Sequence, residues 1–197
     1  MSKKEEILLS TLDLASKYGL KSLSMSQIAD SVGIKKPSLY NHFNSKEELI
    51  KEMYEYIRNK SKQNISIITL DNINEKSSYD ILYNSVMNYK KMVLNEDMFK
   101  FYSVIYSERT TNNDASLIVI EETNKMINAT KALFGFLKDN KKLFIDNIEI
   151  ASIAFSMTIH SLIDYEIDCK KSNLNFDENN IKNYIEWFCN QYSKEQL

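Results

Sequence analysis

Residues 33 to 49, GIKKPSLYNHFNSKEEL, hold a run of side chains suited to gripping a polyanion and to bonding the edges of bases. Lys35, Lys36 and Lys46 carry positive charge, Ser38, Asn41 and His42 carry hydrogen-bonding tips, Tyr40 adds a phenol, and Pro37 is the chain's only proline. Lys36 has the donor to bond guanine, and the Ser38 hydroxyl could bond a base or a phosphate while its Cβ touches a thymine methyl. Lys46 opens an apolar-periodic run, so its charge joins backbone N–H groups and a helix dipole that already favour an anion. Ser24, Ser26 and Gln27 stand at a second helix start of the same kind. Arginine is absent from residues 1–57, which removes the bidentate fork for guanine and leaves lysine as the strong donor. Ser, Asn and Lys as readers imply an A·T-leaning site.

Other chemistry has less to work with. His160 and Asp164, with Glu166 nearby, have the one-face helical spacing that a metal could use, but a third clear ligand is missing. The reading is an interior histidine bonded to its own turn. Nucleophile-elbow glycines and Walker, Rossmann or paired-cysteine motifs are absent, so catalytic residues, a metal and a cofactor are not expected, and the chain does not read as an enzyme. Cys169 and Cys189 read as buried thiols of a reducing compartment. The N-terminus runs from Lys3 and Lys4 straight into Glu5 and Glu6, unlike a secretory leader, and no stretch of 18 apolar residues could span a bilayer. A cytoplasmic location without a membrane partner is expected.

The elements that must position these groups are helical. Three glycines and one proline in 197 residues lie far below the average usage of about 7% and 5%. Ile7, Leu8, Leu12, Ala15 and Tyr18 recur at spacings of three and four, predicting a helix closed by Gly19. Ser24 and Gln27 have capping-box spacing and predict a second helix from Ser24 to Gly33. Pro37 predicts a third short helix continuing through Phe43, and Ser45 with Glu48 predicts a second capping box opening a longer helix through Arg58. Further helices are expected at 77–93, 96–109, 115–138, 147–169 and 177–194. The first 60 residues hold ten Lys/Arg against eight Asp/Glu, the other 137 fifteen against nineteen. With a pI near 5.8, a nonspecific nucleic-acid coater is excluded, and any basic function is local.

Two short helices joined by a glycine turn form a helix-turn-helix layout. The ordered string Gly19, Leu23-Ser24, Ile28-Ala29, Val32-Gly33-Ile34, Pro37 through Phe43, and Ser45 through Leu49 resembles the DNA-binding domain of the tetracycline-repressor (TetR) family of transcriptional regulators. The resemblance implies an all-α protein of about nine helices, with a helix-turn-helix domain at 1–47 and a helical effector-binding and dimerisation domain at 48–197. It implies that Ile28, Ala29, Val32, Leu39 and Phe43 clamp the two short helices. Lys35, Lys36, Pro37, Ser38 and Asn41 then lie on or just before a recognition helix in the major groove, and Tyr40 and His42 contact phosphates.

For the larger half, Met98, Phe101, Tyr102, Ile105 and Tyr106, faced by Met126, Met157 and His160, are candidates for a pocket taking a mostly apolar effector, although such a set also reads as core. By the resemblance, the last two helices pair with those of a second copy, with Ile153, Asp164, Ile181, Tyr184, Ile185, Phe188 and Tyr192 as candidate dimer contacts. The expected function is a homodimeric regulator, a repressor released from a palindromic operator by a small molecule. Two alternatives stand beside it: a helical enzyme or ligand carrier retaining a helix-turn-helix as structure, and a DNA-bound module answering to a protein partner.

Overall fold

A computed structural model describes residues 1–63 and 75–193. Among them the regular structure is entirely helical: α1 Lys3–Tyr18, a 3₁₀ turn Leu20–Ser22, α2 Met25–Ser31, α3 Lys36–Tyr40, α4 Lys46–Gln63, α5 Ser78–Val93, α6 Glu96–Glu108, α7 Asn113–Asp139, α8 Ile148–Lys171 and α9 Asn180–Gln191. The all-α class and the nine α-helices match the expectation. No helix among the described residues is long and apolar enough to cross a membrane. The expected joint at residues 70–78 and the expected helix end at residue 194 lie partly outside the described residues.

Local chemistry accounts for the helix ends. Ser2 caps α1, its hydroxyl accepting from the Glu5 N–H while the Glu5 carboxylate accepts from the Ser2 N–H. Gly19 closes the helix at φ 78°, ψ 147°, a combination that a side chain disfavours. The predicted box at Ser24 and Gln27 forms in full, and Ser24 itself is the cap. The helix that follows stops at Ser31, two residues before the expected end, because the Ile34 N–H turns back to the Ala29 carbonyl (3.0 Å) with Gly33 at φ 68°.

The third helix, expected from Pro37 through Phe43, runs instead from Lys36 to Tyr40. Lys35 is its cap, and Pro37 sits in the first turn, where a missing N–H is harmless. It ends at Tyr40, where the His42 and Phe43 N–H groups both bond the Leu39 carbonyl. The second expected box is only half formed. The Ser45 hydroxyl accepts from the Glu48 N–H (3.1 Å), but the Glu48 carboxylate reaches the Asn44 N–H (2.6 Å).

Packing divides the chain differently from the expected boundary at residue 47. One compact unit comprises Met1–Ile65 and Lys91–Ile120, and the other comprises Ser66–Lys90 and Glu121–Leu197. The first unit therefore includes α4 and α6 with the short helices. Its core joins Ile7 and Leu12 of α1, Ile28 of α2, Leu39 of α3, Phe43, Leu49, Met53 and Ile57 of the α4 region, and Phe101 and Ile105 of α6, each essentially inaccessible. The second unit is organised by aromatics: Phe134 of α7 stacks on Phe188 of α9 (5.1 Å), and Phe155 of α8 meets Phe188 edge-on (4.8 Å).

Candidate nucleic-acid interface

The helix-turn-helix is a clamp with a buried floor and a polar upper face. Ile28, Ala29 and Leu39 are fully buried, Phe43 is 1% exposed and Val32 8%. Leu39 is the one buried residue of α3. Above it, Lys35, Lys36, Pro37, Ser38, Tyr40, Asn41 and His42 are all exposed. The short helix thus turns one side chain into the core and keeps the rest of its surface, with Lys36 and the capping Lys35, for solvent or a partner.

The N-terminal start of α2 is more occupied. Ser24 and Gln27 are exposed but engaged with each other: the Ser24 N–H and hydroxyl both donate to Gln27 Oε1 (2.8 Å each). Ser26 is exposed on the first turn of α2. Lys46 differs from expectation. Its ammonium donates to the Leu20 carbonyl (2.6 Å) and holds the start of α4 against the turn after α1, so its charge is not simply presented outward.

Sequence reasoning missed three further ties of this kind. Lys3 Nζ reaches the Val32 carbonyl (3.5 Å) at the end of α2. Lys4 pairs with Glu52 (2.5 Å) and lies 5.3 Å from the Phe43 ring centroid. Lys21 Nζ donates to Thr111 Oγ1 (3.0 Å). These are pairings between sequence-distant lysines and oxygen groups, for which no periodic pattern exists.

The effector candidates separate. Met98, Phe101 and Ile105 are closed into the core of the first unit, so they do not line an accessible surface. Tyr102 and Tyr106, half-buried, stack at 6.1 Å, with Arg109 over the Tyr106 ring. Met126, Met157 and His160 belong to the second unit. Met126 is half-buried and Met157 is exposed. His160 Nδ1 meets the Tyr89 hydroxyl (2.9 Å) and its Nε2 faces Asp164 in its own turn (3.6 Å). No group of three or more metal-ligating side chains occurs among the described residues. Glu166 is instead buried between Lys90 (2.5 Å) and Lys170 (2.6 Å). Burial pushes its carboxyl up, but the hydrogen bonds from Lys170 and Lys90 outweigh this and hold it below its ordinary value.

The dimer candidates also divide. Ile181, Ile185 and Phe188 are buried within the chain because α9 turns its apolar stripe onto Phe134 and Phe155. Tyr184 and Tyr192 are half-buried beside Phe188. Ile153 and Asp164 face outward on α8, together with Ile150 and Met157, and Trp187 does so on α9. The outward residues Ile150 and Trp187 were not among the expected contacts.

Residues 7–53 match the family described as bacterial regulatory proteins, tetR family. The chain is 26% identical over 177 residues to IcaR of Staphylococcus aureus (strain Newman), the negative transcriptional regulator of the biofilm operon icaADBC, covering 74% of this chain and 94% of that one. It is 40% identical over 52 residues to the transcriptional repressor KstR2 of Mycolicibacterium smegmatis, 26% of this chain and 25% of that one. Its fold is similar to that of a TetR-family regulator from Mesorhizobium loti, with a TM-score of 0.70 at 18% identity over 96% of both chains. Residues 7–53 therefore match the TetR family in their own right, and the chain as a whole is similar to transcriptional regulators of that family.

Proposed function

We propose that the protein is a cytoplasmic, homodimeric repressor that leaves a palindromic operator when a small, mostly apolar molecule binds it. One observation carries the reading: a five-residue helix and its two caps expose Lys35, Lys36, Ser38 and Asn41, while the helix's single buried residue, Leu39, fixes it to the core. That is the arrangement a reading helix needs, with base-bonding tips outward on a rigid floor. Repression follows from IcaR and KstR2, both described as negative regulators.

The outward apolar residues of the second unit favour a second copy as partner. Ile150 is 65% exposed, Ile153 41% and Met157 39% along α8, and Trp187 is 54% exposed on α9. Tryptophan and methionine are enriched at such interfaces. Two copies would place two recognition helices about 34–36 Å apart, one DNA turn, to match a palindrome. Met126 and His160 remain effector candidates, with Tyr89 added as the hydroxyl partner of His160. Weakening operator binding a hundredfold needs a coupling of about 2.7 kcal/mol, within the usual allosteric range.

The test is fluorescence anisotropy on DNA flanking the protein's own coding region, beside a scrambled duplex, at about 50 and 200 mM salt. The expected result is specific binding with log K falling by about 0.9 per neutralised phosphate against log salt, and an altered sequence preference in Ser38→Ala. Equal binding to both duplexes, followed by failure to select any sequence from a random library, would overturn the reading. Sedimentation of the wild type and Trp187→Glu tests the dimer: a monomeric wild type refutes it.

A further inference from the structure

We propose that the Tyr54 hydroxyl and the Glu108 carboxylate are the two halves of a conformational latch, a hydrogen bond open in this conformation and closed in a second one. The latch rests on the regulatory reading above, since it names an internal contact that would favour one of the regulator's two conformations.

Tyr54 is carried on α4, the helix that follows the recognition helix, and is 4% exposed. Its hydroxyl has no hydrogen-bond partner among the described residues, although buried polar groups are nearly always bonded. The ring stands edge-on to Phe101 of α6, 6.0 Å between centroids at 82°. Glu108 lies seven residues beyond Phe101, two turns along the same face and about 10 Å further along the helix. The residue is 8% exposed, and among the described residues the Tyr54 hydroxyl, not the Glu108 carboxylate, is the buried side-chain group left without a partner. Burial, then the negative charges of Glu108 and Asp114, push the Tyr54 phenol well above its ordinary value, so both carboxylates act on it electrostatically.

A phenol with an unused proton and a carboxylate acceptor are complementary, and the phenol is unfavourable alone in its buried setting. They sit on two packed helices, one attached to the recognition helix and one not. A shift of α6 along α4, of the kind by which packed helices exchange between discrete positions, brings Glu108 toward the hydroxyl. Closing the bond stabilises the shifted arrangement and moves the population away from the one described here.

The experiment is a double-mutant cycle on the full chain: wild type, Tyr54→Phe, Glu108→Gln and the double variant. Each is titrated onto the operator duplex with its active fraction counted, and its thermal unfolding is followed without DNA. Each single substitution is expected to change operator Kd by about fivefold or more, both in the same direction, with the double variant no further from wild type than the larger single. The sign identifies the conformation that DNA selects. Kd values within about twofold of wild type, or single effects that add, overturn the latch. Coupling seen in thermal unfolding but not in Kd would show a static pair and also overturn it. Tyr54→Phe removes one oxygen and Glu108→Gln keeps the carboxylate's shape, so if one variant fails to fold, the other's Kd decides. A wild type without operator preference defeats the regulatory reading and the latch together, whereas a binding wild type with unresponsive variants defeats the latch alone.

Discussion

Leu39→Ala isolates the connection between the core and the reading surface. Helix α3 is five residues long and buries only Leu39, at 0% exposure. So short a helix has no stability of its own, and its position therefore depends on that side chain. Truncation to alanine removes three carbons, about 2.4 kcal/mol at about 0.8 per methylene, and the residual cavity brings the loss to about 3 kcal/mol, inside the usual range for buried leucine. The Leu39 carbonyl, which receives the His42 and Phe43 N–H groups, is untouched, so the end of the helix keeps its backbone bonds and the loss is one of anchorage. Urea unfolding followed by circular dichroism measures the stability, and anisotropy on the operator measures the function. Leu39→Ala should lower both, whereas Ser38→Ala, one position earlier and exposed, should change stability by less than about 0.5 kcal/mol yet alter sequence preference. A Leu39→Ala protein that loses less than about 1 kcal/mol and binds the operator as before would refute the anchoring argument.

Two further outcomes follow from single contacts. Ser24→Ala removes the hydroxyl that caps α2 and should lower unfolding free energy by about 1 kcal/mol in the same urea experiment; an unchanged midpoint would show the cap to be replaceable. Glu166 has a depressed folded-state pKa, so its contribution is fully present above the unfolded carboxyl value near about 4.3 and is lost as pH falls through the lower folded value. The wild type should therefore lose stability as acidity increases below about pH 5, and Glu166→Gln should be less stable at neutral pH with a flatter acid limb; an identical acid limb in the variant would contradict the assignment.

Where a feature depends on neighbours within a few residues, it was legible in the sequence. The box at Ser24 and Gln27, Gly19 as a helix end and the buried set Ile28, Ala29, Val32, Leu39 and Phe43 are all local: each follows from spacing of three or four residues, or from what a missing side chain permits. The third helix was placed correctly in order but one residue late at its start and three at its end, because Pro37 marks a first turn without saying which residue starts it. Hydrophobic periodicity also found the long helices, but it could not say which core each apolar face joins. Thus Met98, Phe101 and Ile105, read as pocket candidates, instead complete the core beneath the helix-turn-helix, and the apolar stripe of α9 is spent on Phe134 and Phe155.

The amino-acid order alone determined the helical class, the capped short helices and the exposed donors of residues 35–42, since backbone preference and short-range hydrogen bonding decide these before any distant contact forms. Only the tertiary structure decided that Lys46 bonds the Leu20 carbonyl, that Glu166 is buried between two lysines and that the Tyr54 hydroxyl is buried without a partner among the described residues. Those depend on which long-range packing excludes water from a polar group, and sequence spacing carries no record of that.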